Sequence, residues 1–202
     1  MTLPRRFLLA LGLAALMPLA ACDKTPGNAS VPYNAVDITG ATYGRTLSLP
    51  DADGRTRTLA DFKGKIVVVF FGFTQCPDVC PGTLAELAQV KKSLGPDGDK
   101  VQGVFITVDP ARDTPEVLKG YVSSFDPGFV ALRGTPEQTA ATAKDFKVYF
   151  AKVPGKSEGS YSVDHTAGAF VFDTKGQVRL FTKYGSGAEA LTSDLRKLIH
   201  AG

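Results

Sequence analysis

The residues best suited to chemistry are two cysteines, Cys76 and Cys80, in the segment 76–81, which reads Cys-Pro-Asp-Val-Cys-Pro. The segment follows directly on an apolar run at residues 66–71. Thiols four positions apart at the end of a buried strand can bind a metal, form a disulfide or do both. The chain contains three cysteines and two histidines, so few other soft ligands are available to it.

The spacing of the pair leaves several chemistries open. A thioredoxin-type redox pair is normally Cys-x-x-Cys, and one extra residue weakens that match without excluding redox chemistry. A c-type haem site needs a histidine directly after the second cysteine, and none follows Cys80. Two thiolates suit Cu(I), and an added imidazole would accommodate Cu(II). Zinc also accepts Cys and His, but a structural zinc site needs a fourth protein ligand. An inert disulfide is the remaining alternative.

Proline at positions 77 and 81 favours a loop or a first helical turn around the cysteines. Backbone N–H groups at a helix N-terminus lower the pKa of a nearby thiol. We therefore expect both Cys76 and Cys80 to ionise readily.

The two histidines have different prospects as ligands. His165 lies in Val-Asp-His-Thr between two strand patterns, whereas His200 lies two residues from the C-terminus on a predicted surface helix. We expect Asp78 and Asp164 to flank the site, where they orient His165 or meet a cationic partner. The alternative is a role in turns, where Asp is common.

Further along the chain, Asp109, Arg112 and Asp113 are charged residues that follow a predicted buried strand. They are predicted to form a buried ion-pair network behind the cysteine turn.

The elements that must position these residues can be placed from periodicity and turn signals. A hairpin is predicted about Asp53-Gly54, and buried strands at residues 66–71 and 101–108. Apolar spacing predicts a helix at residues 83–94, and Thr-Pro pairs at Thr114 and Thr135 predict the starts of two more.

The last third changes character. Strands are predicted at residues 148–150 and 160–163 around a loop at 154–159, followed by a hairpin of residues 169–172 and 177–182 and a helix at 187–200. A strand that leads into a cysteine pair opening a helix, with a terminal ββα unit, is the thioredoxin-like plan. The predicted fold class is therefore α/β and thioredoxin-like, with an N-terminal β-hairpin, a C-terminal ββα and an inserted hairpin loop.

The N-terminal region has the pattern of an export signal. Residues 1–21 combine Arg5 and Arg6 with an apolar stretch and end in Leu-Ala-Ala before Cys22, which resembles a bacterial lipobox. This predicts a lipoprotein signal peptide at residues 1–21, a lipid anchor on Cys22 with a flexible tether at 22–35, and a folded domain at 36–202.

No other apolar run reaches the roughly 18 residues that a membrane span requires. Without the signal, 21 basic residues face 20 acidic ones, a net charge of +1. The sequence therefore predicts no nucleic-acid partner. Export would also place the cysteine pair in a compartment where disulfides persist.

Four segments together resemble the Sco/SenC family of copper-binding, thioredoxin-like proteins. They are Gly64-Lys65, residues 71–81, residues 108–115, and Tyr-Ser-Val-Asp-His at 161–165. The resemblance extends from about residue 44 to the C-terminus. It implies that Cys76, Cys80 and His165 bind copper, as Cu(I) or Cu(II).

The resemblance also implies a metallochaperone, rather than an enzyme, that delivers copper to the CuA-bearing subunit of cytochrome c oxidase. Another periplasmic copper chaperone is a further expected partner. The alternatives are a thiol-disulfide reductase that uses Cys76 and Cys80 to keep CuA-site or chaperone cysteines reduced, and a redox or copper sensor. The expected location is a bacterial cell envelope, at the periplasmic face of the inner membrane, held there by the lipid on Cys22.

Overall fold

The protein is built around a six-stranded sheet with helices on both faces. The structure, a computed structural model, describes residues 32–201. The strands are β1 (Val36–Asp37), β2 (Ser48–Pro50), β3 (Thr56–Thr58), β4 (Ile66–Gly72), β5 (Val101–Thr107), β6 (Val130–Leu132), β7 (Phe150–Pro154), β8 (Tyr161–His165), β9 (Gly168–Phe172) and β10 (Val178–Lys183). The helices are α1 (Val79–Ser93), α2 (Pro115–Ser123), α3 (Pro136–Asp145) and α4 (Ala188–His200), with 3₁₀ turns at Leu59–Phe62 and Gly95–Lys100.

The strand order in the main sheet is β1-β10-β9-β4-β5-β6. Strand β4 is parallel to β5 and antiparallel to β9, so it has hydrogen-bonded neighbours on both sides. All residues of β4 and β5 are buried. Such β-branched and aromatic runs are typical of strands that are covered on both faces.

Alternate residues of β4 enter two separate cores, as the period of a strand requires. Val68 and Phe70 pack with α1, α2 and α4, whereas Val69 and Phe71 pack on the opposite face with α3 and the β2–β3 hairpin. This arrangement confirms the predicted plan of a hairpin, two βα units, a further helix and a terminal ββα. A short strand, β6, lies between the second and third helices.

The helix starts follow the predicted caps. Thr114 accepts a hydrogen bond from the backbone of Val117, and Thr135 accepts one from Gln138. Helix α1, however, begins at Val79 rather than at residue 83, and so takes Cys80 into its first turn. Pro81 is compatible with this start because the first N–H groups of a helix have no partner within it.

The hairpin β7–β8 forms a separate two-stranded sheet. Strand β7 begins at Phe150, two residues later than predicted, because Val148 takes part in the turn that caps α3. Its N–H bonds to the carbonyl of Ala143, and Lys147 before it has a φ of 58°. Strand β8 extends to His165, beyond the predicted end at 163.

The N-terminal part of the described chain lies on α4. The predicted tether runs to residue 35, and the backbone N–H groups of Asn34 and Ala35 donate to the buried carboxylate of Asp194. Strand β1, which no sequence pattern indicated, then pairs with β10 at the sheet edge. From residue 32 to residue 201, no helix combines the length and the apolar character needed to cross a membrane.

Candidate metal centre

Strand β4 delivers the cysteine segment to the C-terminal edge of the sheet. Cys76 is half-buried in the loop after Phe73, and Cys80 is fully buried in the first turn of α1. Both are free thiols, and the backbone N–H of Cys80 points at Sγ of Cys76 at 3.4 Å. A Cβ at Gly72 would lie 2.6 Å from Sγ of Cys80, so glycine at the end of β4 is what lets this thiol lie against the strand.

The third donor comes from the separate hairpin. His165 ends β8, and its Nε2 lies 3.5 Å from Sγ of Cys80. Its Nδ1 lies 3.1 Å from the carbonyl oxygen of Thr166. A carbonyl can only accept, so Nδ1 carries the proton and the lone pair of neutral Nε2 points at the thiols. A backbone carbonyl that fixes the tautomer in this way is a common feature of histidine metal ligands.

These three side chains form a cluster suited to one metal ion. The two Sγ atoms and one imidazole nitrogen all lie within 4.8 Å of one another. Cysteine and histidine bind zinc at about 2.0–2.3 Å, so one such ion can join donors up to about 4.6 Å apart. The spacing therefore fits a single ion after a small contraction. In the described part of the chain, this is the one group of three or more such donors that converge.

The electrostatics of the site differ from the expectation for Cys80. Burial raises the pKa of its thiol, which outweighs the helix N-terminus that was expected to favour ionisation. Burial also lowers the pKa of His165, against smaller opposing effects of the Thr166 bond and the nearby Asp164. The metal-free site is therefore neutral at these two positions, and a bound metal would displace the proton of Cys80.

The cluster opens to the surface through a cavity of about 410 Å³. Its walls include Cys76, Pro77, His165 and the exposed Tyr149. A cavity of about 520 Å³ lies elsewhere, beside Arg133, but its lining contains no cysteine or histidine. Soft-metal chemistry therefore belongs to the smaller cavity.

The two predicted flanking carboxylates do not orient His165 directly. Asp78 accepts a hydrogen bond from the hydroxyl of Tyr184 at 3.1 Å, and Asp164 is exposed on β8. Among the hydrogen bonds of the described residues, Nδ1 of His165 pairs with Thr166 instead. The other role predicted for these two carboxylates at the site, contact with a cationic partner, stays a prediction.

The predicted charged network behind the cysteine turn is confirmed in part. Asp109 pairs with Nε of Arg112 and is buried. Asp113 does not join this pair: it accepts hydrogen bonds from the hydroxyls of Thr74 and Thr107. Asp113 thus fixes the first residue after Phe73, while Arg112 extends in another direction.

The remaining histidine lies at the surface as predicted. His200 is exposed, and its Nε2 lies 3.5 Å from a carboxylate oxygen of Asp97. It is not part of the metal cluster.

Aromatic residues around the site were not predicted from the sequence. The ring of Phe73 meets the ring of His165 edge-on at a centroid distance of 6.0 Å. Tyr161, four residues before His165 on β8, donates its hydroxyl to Asp109 at 2.8 Å. Both residues occur in the segments that carry the family resemblance, which was the available signal, but no spacing rule assigns them a contact.

Known proteins share this sequence and architecture. A family model described as SCO1/SenC matches residues 36–200. The mitochondrial SCO2 homolog of Bos taurus is 41% identical over 160 residues, which covers 77% of this chain and 59% of that protein. The chain thus spans about three-fifths of the length of this curated relative.

Two solved structures cover most of the domain. The copper-bound structure of Bradyrhizobium japonicum ScoI is 41% identical with a TM-score of 0.68, covering 75% of this chain and 96% of that one. The apo Sco1 protein of Thermus thermophilus is 35% identical with a TM-score of 0.74, covering 84% and 99%. Together with the family match over most of the chain, these likenesses show a thioredoxin-like Sco fold, and the chain belongs to the SCO1/SenC family.

Proposed function

We propose that this protein is a copper chaperone that binds one copper ion through Cys76, Cys80 and His165. The observation that carries the proposal is the convergence of two thiols and one imidazole nitrogen within 4.8 Å. Two soft sulfur donors suit Cu(I), and the imidazole adds a donor suited to Cu(II). The similarity to a copper-bound ScoI supports the same assignment.

The arrangement of the ligands suggests how copper is held and released. Cys76 and Cys80 come from one loop and helix start, so they form a two-thiolate site for Cu(I). His165 comes from the separate β7–β8 sheet and supplies the third donor. Withdrawal of His165 would leave a two-coordinate ion open to the ligands of an acceptor. The cavity beside Cys76 and Tyr149 is the path by which such ligands would approach.

The acceptor that we propose is the CuA-bearing subunit of cytochrome c oxidase, with another periplasmic copper chaperone as a further partner. The proposal includes a lipid anchor on Cys22 and a position at the periplasmic face of the inner membrane of a bacterium. Its support is the Leu-Ala-Ala-Cys pattern at the end of residues 1–21, which lie outside the described residues together with Cys22.

A second function, thiol-disulfide reduction, is favoured by one specific contact. The N–H of Cys80 points at Sγ of Cys76 at 3.4 Å, so the Cys76 thiol is held beside the first turn of the helix that carries Cys80. Cys76 is also the more exposed thiol, so it is placed to attack a partner's disulfide while Cys80 resolves the mixed disulfide. Each such cycle oxidises the pair to a disulfide, and an external dithiol must reduce it again.

Titration with Cu(I) and Cu(II) separates the two functions. The reduced protein is titrated beside His165→Ala, with His200→Ala as the matched control because His200 lies outside the cluster. We expect one Cu(II) per chain with an intense thiolate-to-copper absorption band, lost in His165→Ala and kept in His200→Ala.

The reductase predicts a different outcome. Weak copper binding without that band, together with a measurable reduction potential of the cysteine pair, would contradict the chaperone. Cytochrome oxidase activity in cells that carry His165→Ala tests the same point, because a reductase needs both cysteines but not His165.

A further inference from the structure

The metal centre joins two parts of the fold that do not share a sheet. The cysteines follow β4 of the main sheet, whereas His165 ends β8 of the separate two-stranded sheet. No ladder of backbone hydrogen bonds among the described strands therefore sets the distance from His165 to the thiols. Apart from the two-residue link of Thr166 and Ala167 to β9, side chains between the two parts set it.

We propose that Arg112 is a positioning residue of the metal centre, which holds the β7–β8 hairpin against the cysteine loop. The proposal rests on the proposed function, since it concerns the same copper site. Arg112 lies in the connection between β5 and α2. Its side-chain hydrogen bonds in the described structure go to Asp109, Gln75 and Tyr161 rather than to a ligand atom, so it acts through its neighbours.

On the cysteine side, Arg112 contacts two residues that shortly precede Cys76. Its Nη1 donates to the side-chain oxygen of Gln75, next to Cys76, at 3.0 Å. Its guanidinium carbon lies 5.7 Å from the ring centroid of Phe73, and the Phe73 ring also meets the His165 ring edge-on. Phe73 is therefore in contact with both the guanidinium and the imidazole.

On the hairpin side, the contacts converge on Tyr161. The same Nη1 donates to the backbone carbonyl of Tyr161 at 2.8 Å, and the guanidinium lies over the Tyr161 ring at 3.7 Å. The Tyr161 hydroxyl donates to Asp109 at 2.8 Å, and Asp109 in turn pairs with Nε of Arg112. Tyr161 is thus held at its carbonyl, its ring and its hydroxyl.

A displacement of Tyr161 is carried to His165 by the strand that joins them. The two residues are four apart on β8, so they lie on the same face at about 13 Å. A shift of Tyr161 therefore moves His165 relative to Sγ of Cys80, which is 3.5 Å away. A metal state that needs the imidazole depends on this position more than a state held by two thiolates.

The contacts require arginine specifically. A planar guanidinium can pair with a carboxylate, donate to two further oxygens and stack on a ring at once, whereas a lysine ammonium cannot. Within the described residues, Nη2 is buried without a hydrogen-bond partner, which is unfavourable for stability alone. The arrangement is better explained by the parts that Arg112 connects.

The test compares Arg112→Met with Arg133→Met. Arg133 donates to the carbonyl of Pro110 in the same connection, at 3.2 and 2.9 Å, and none of its hydrogen bonds in the described structure goes to the hairpin. Backbone amide exchange is measured first on the metal-free protein. We expect exchange at residues 161–165 to rise about tenfold in Arg112→Met and to stay unchanged at residues 66–72. Arg133→Met should leave both segments as in the wild type.

Copper is measured next on the same proteins. In Arg112→Met we expect Cu(II) to bind about tenfold more weakly, with a weaker thiolate-to-copper band, and Cu(I) affinity to change less than about threefold. Tyr161→Phe keeps the charge pair and loses one hydrogen bond, so it should give a smaller effect in the same direction. Arg112→Lys should not restore the wild-type values.

Two outcomes would overturn the proposal. Unchanged exchange at 161–165 in Arg112→Met would show that the hairpin is held by other contacts. Equal acceleration at 66–72 and 161–165 would show a general role in stability. If the wild type binds no copper but the hairpin alone exchanges faster in Arg112→Met, the proposed function fails while the positioning role stands.

Discussion

The cysteine loop and the β7–β8 hairpin contribute to one site from very different surroundings. The loop extends from β4, whose residues are all buried and which pairs with strands on both sides. The hairpin pairs only with itself among the described strands, and most residues of β7 and the loop after it are exposed. Two of the three converging donors thus come from a constrained part of the fold and the third from a less constrained one.

This difference suggests that the binding of Cu(I) and the binding of Cu(II) depend on different parts of the protein. On the proposed function, a Cu(I) ion held by Cys76 and Cys80 would need only the constrained part. A Cu(II) ion that also needs His165 would depend on the hairpin and on the contacts proposed for Arg112. Local opening has a lower free-energy cost where few buried contacts hold a segment, so the hairpin is where a ligand can most easily be withdrawn.

The largest effect is expected when the cysteine loop loses one of its two thiols. Cys80→Ser should lower the affinity for both Cu(I) and Cu(II) by more than about 100-fold, because serine is a poor soft-metal ligand and Sγ of Cys80 lies 3.5 Å from Nε2 of His165. His165→Ala should affect mainly Cu(II). Competition titrations with one chelator specific for Cu(I) and another specific for Cu(II) measure the two affinities. A Cys80→Ser protein with native Cu(I) affinity would show that Cys80 is not a ligand.

A second effect follows from the close packing beneath Cys80. Gly72→Ala places a methyl group 2.6 Å from Sγ of Cys80 and 2.8 Å from the Phe105 ring, and overpacking of this kind costs about 1–3 kcal/mol. We expect that loss in the free energy of unfolding, measured with urea, and weaker binding of both copper valences. Gly120→Ala on α2 is the control, since nothing lies within 4 Å of its added Cβ. It should gain up to about 1 kcal/mol.

Gly72 also shows which features of the site could be predicted from the sequence and which could not. The buried strand, the two cysteines and the helix after them could be predicted, because apolar runs and proline positions are local signals. The late start assigned to α1 was wrong, since apolar periodicity first appears at Leu84 while the helix begins at Val79. The need for glycine beside Cys80 is a contact between β4 and α1, which no local pattern records.

The hairpin was less predictable for a related reason. His165 could be proposed as a ligand from its place between two strand patterns, and the family resemblance strengthened this. Its neighbours could not, because Tyr161, Phe73 and Arg112 meet only when distant segments fold together. The ready ionisation expected for Cys80 was wrong because burial, which depends on tertiary packing, outweighs the local effect of the helix start.

The two parts should also differ in the pH at which they lose stability. Burial raises the pKa of Cys80 in the folded state above the value of about 8.5 for an exposed thiol. Above that pH the unfolded chain releases a proton that the folded chain keeps, so stability falls as pH rises, by at most about 1.4 kcal/mol per pH unit. Urea unfolding of the reduced, metal-free protein from pH 8 to 10 measures this loss. Cys80→Ala should remove it, and an unchanged slope in that variant would contradict the assignment.

His165 gives the smallest effect, with the opposite sign. Burial lowers its pKa in the folded state below about 6.5, the value of an exposed histidine. As pH falls below about 6.5 the unfolded chain gains a proton that the folded chain does not. Stability therefore decreases toward acid until the folded pKa is reached, and it is unaffected by this group above about pH 7.5.

Unfolding of the metal-free protein between pH 7.5 and 5.5 measures this contribution before carboxylates begin to titrate. His165→Gln cannot be protonated and should have a shallower slope than the wild type, whereas His200→Gln, at the exposed histidine, should keep the wild-type slope. Equal slopes in all three proteins would mean that the hairpin opens far enough to hydrate His165 while the main sheet stays folded. Amide exchange at 161–165, divided by the intrinsic exchange rate at each pH, would then rise with falling pH while the same ratio at 66–72 did not. The contrast between the two parts of the site would then be larger than the structure indicates.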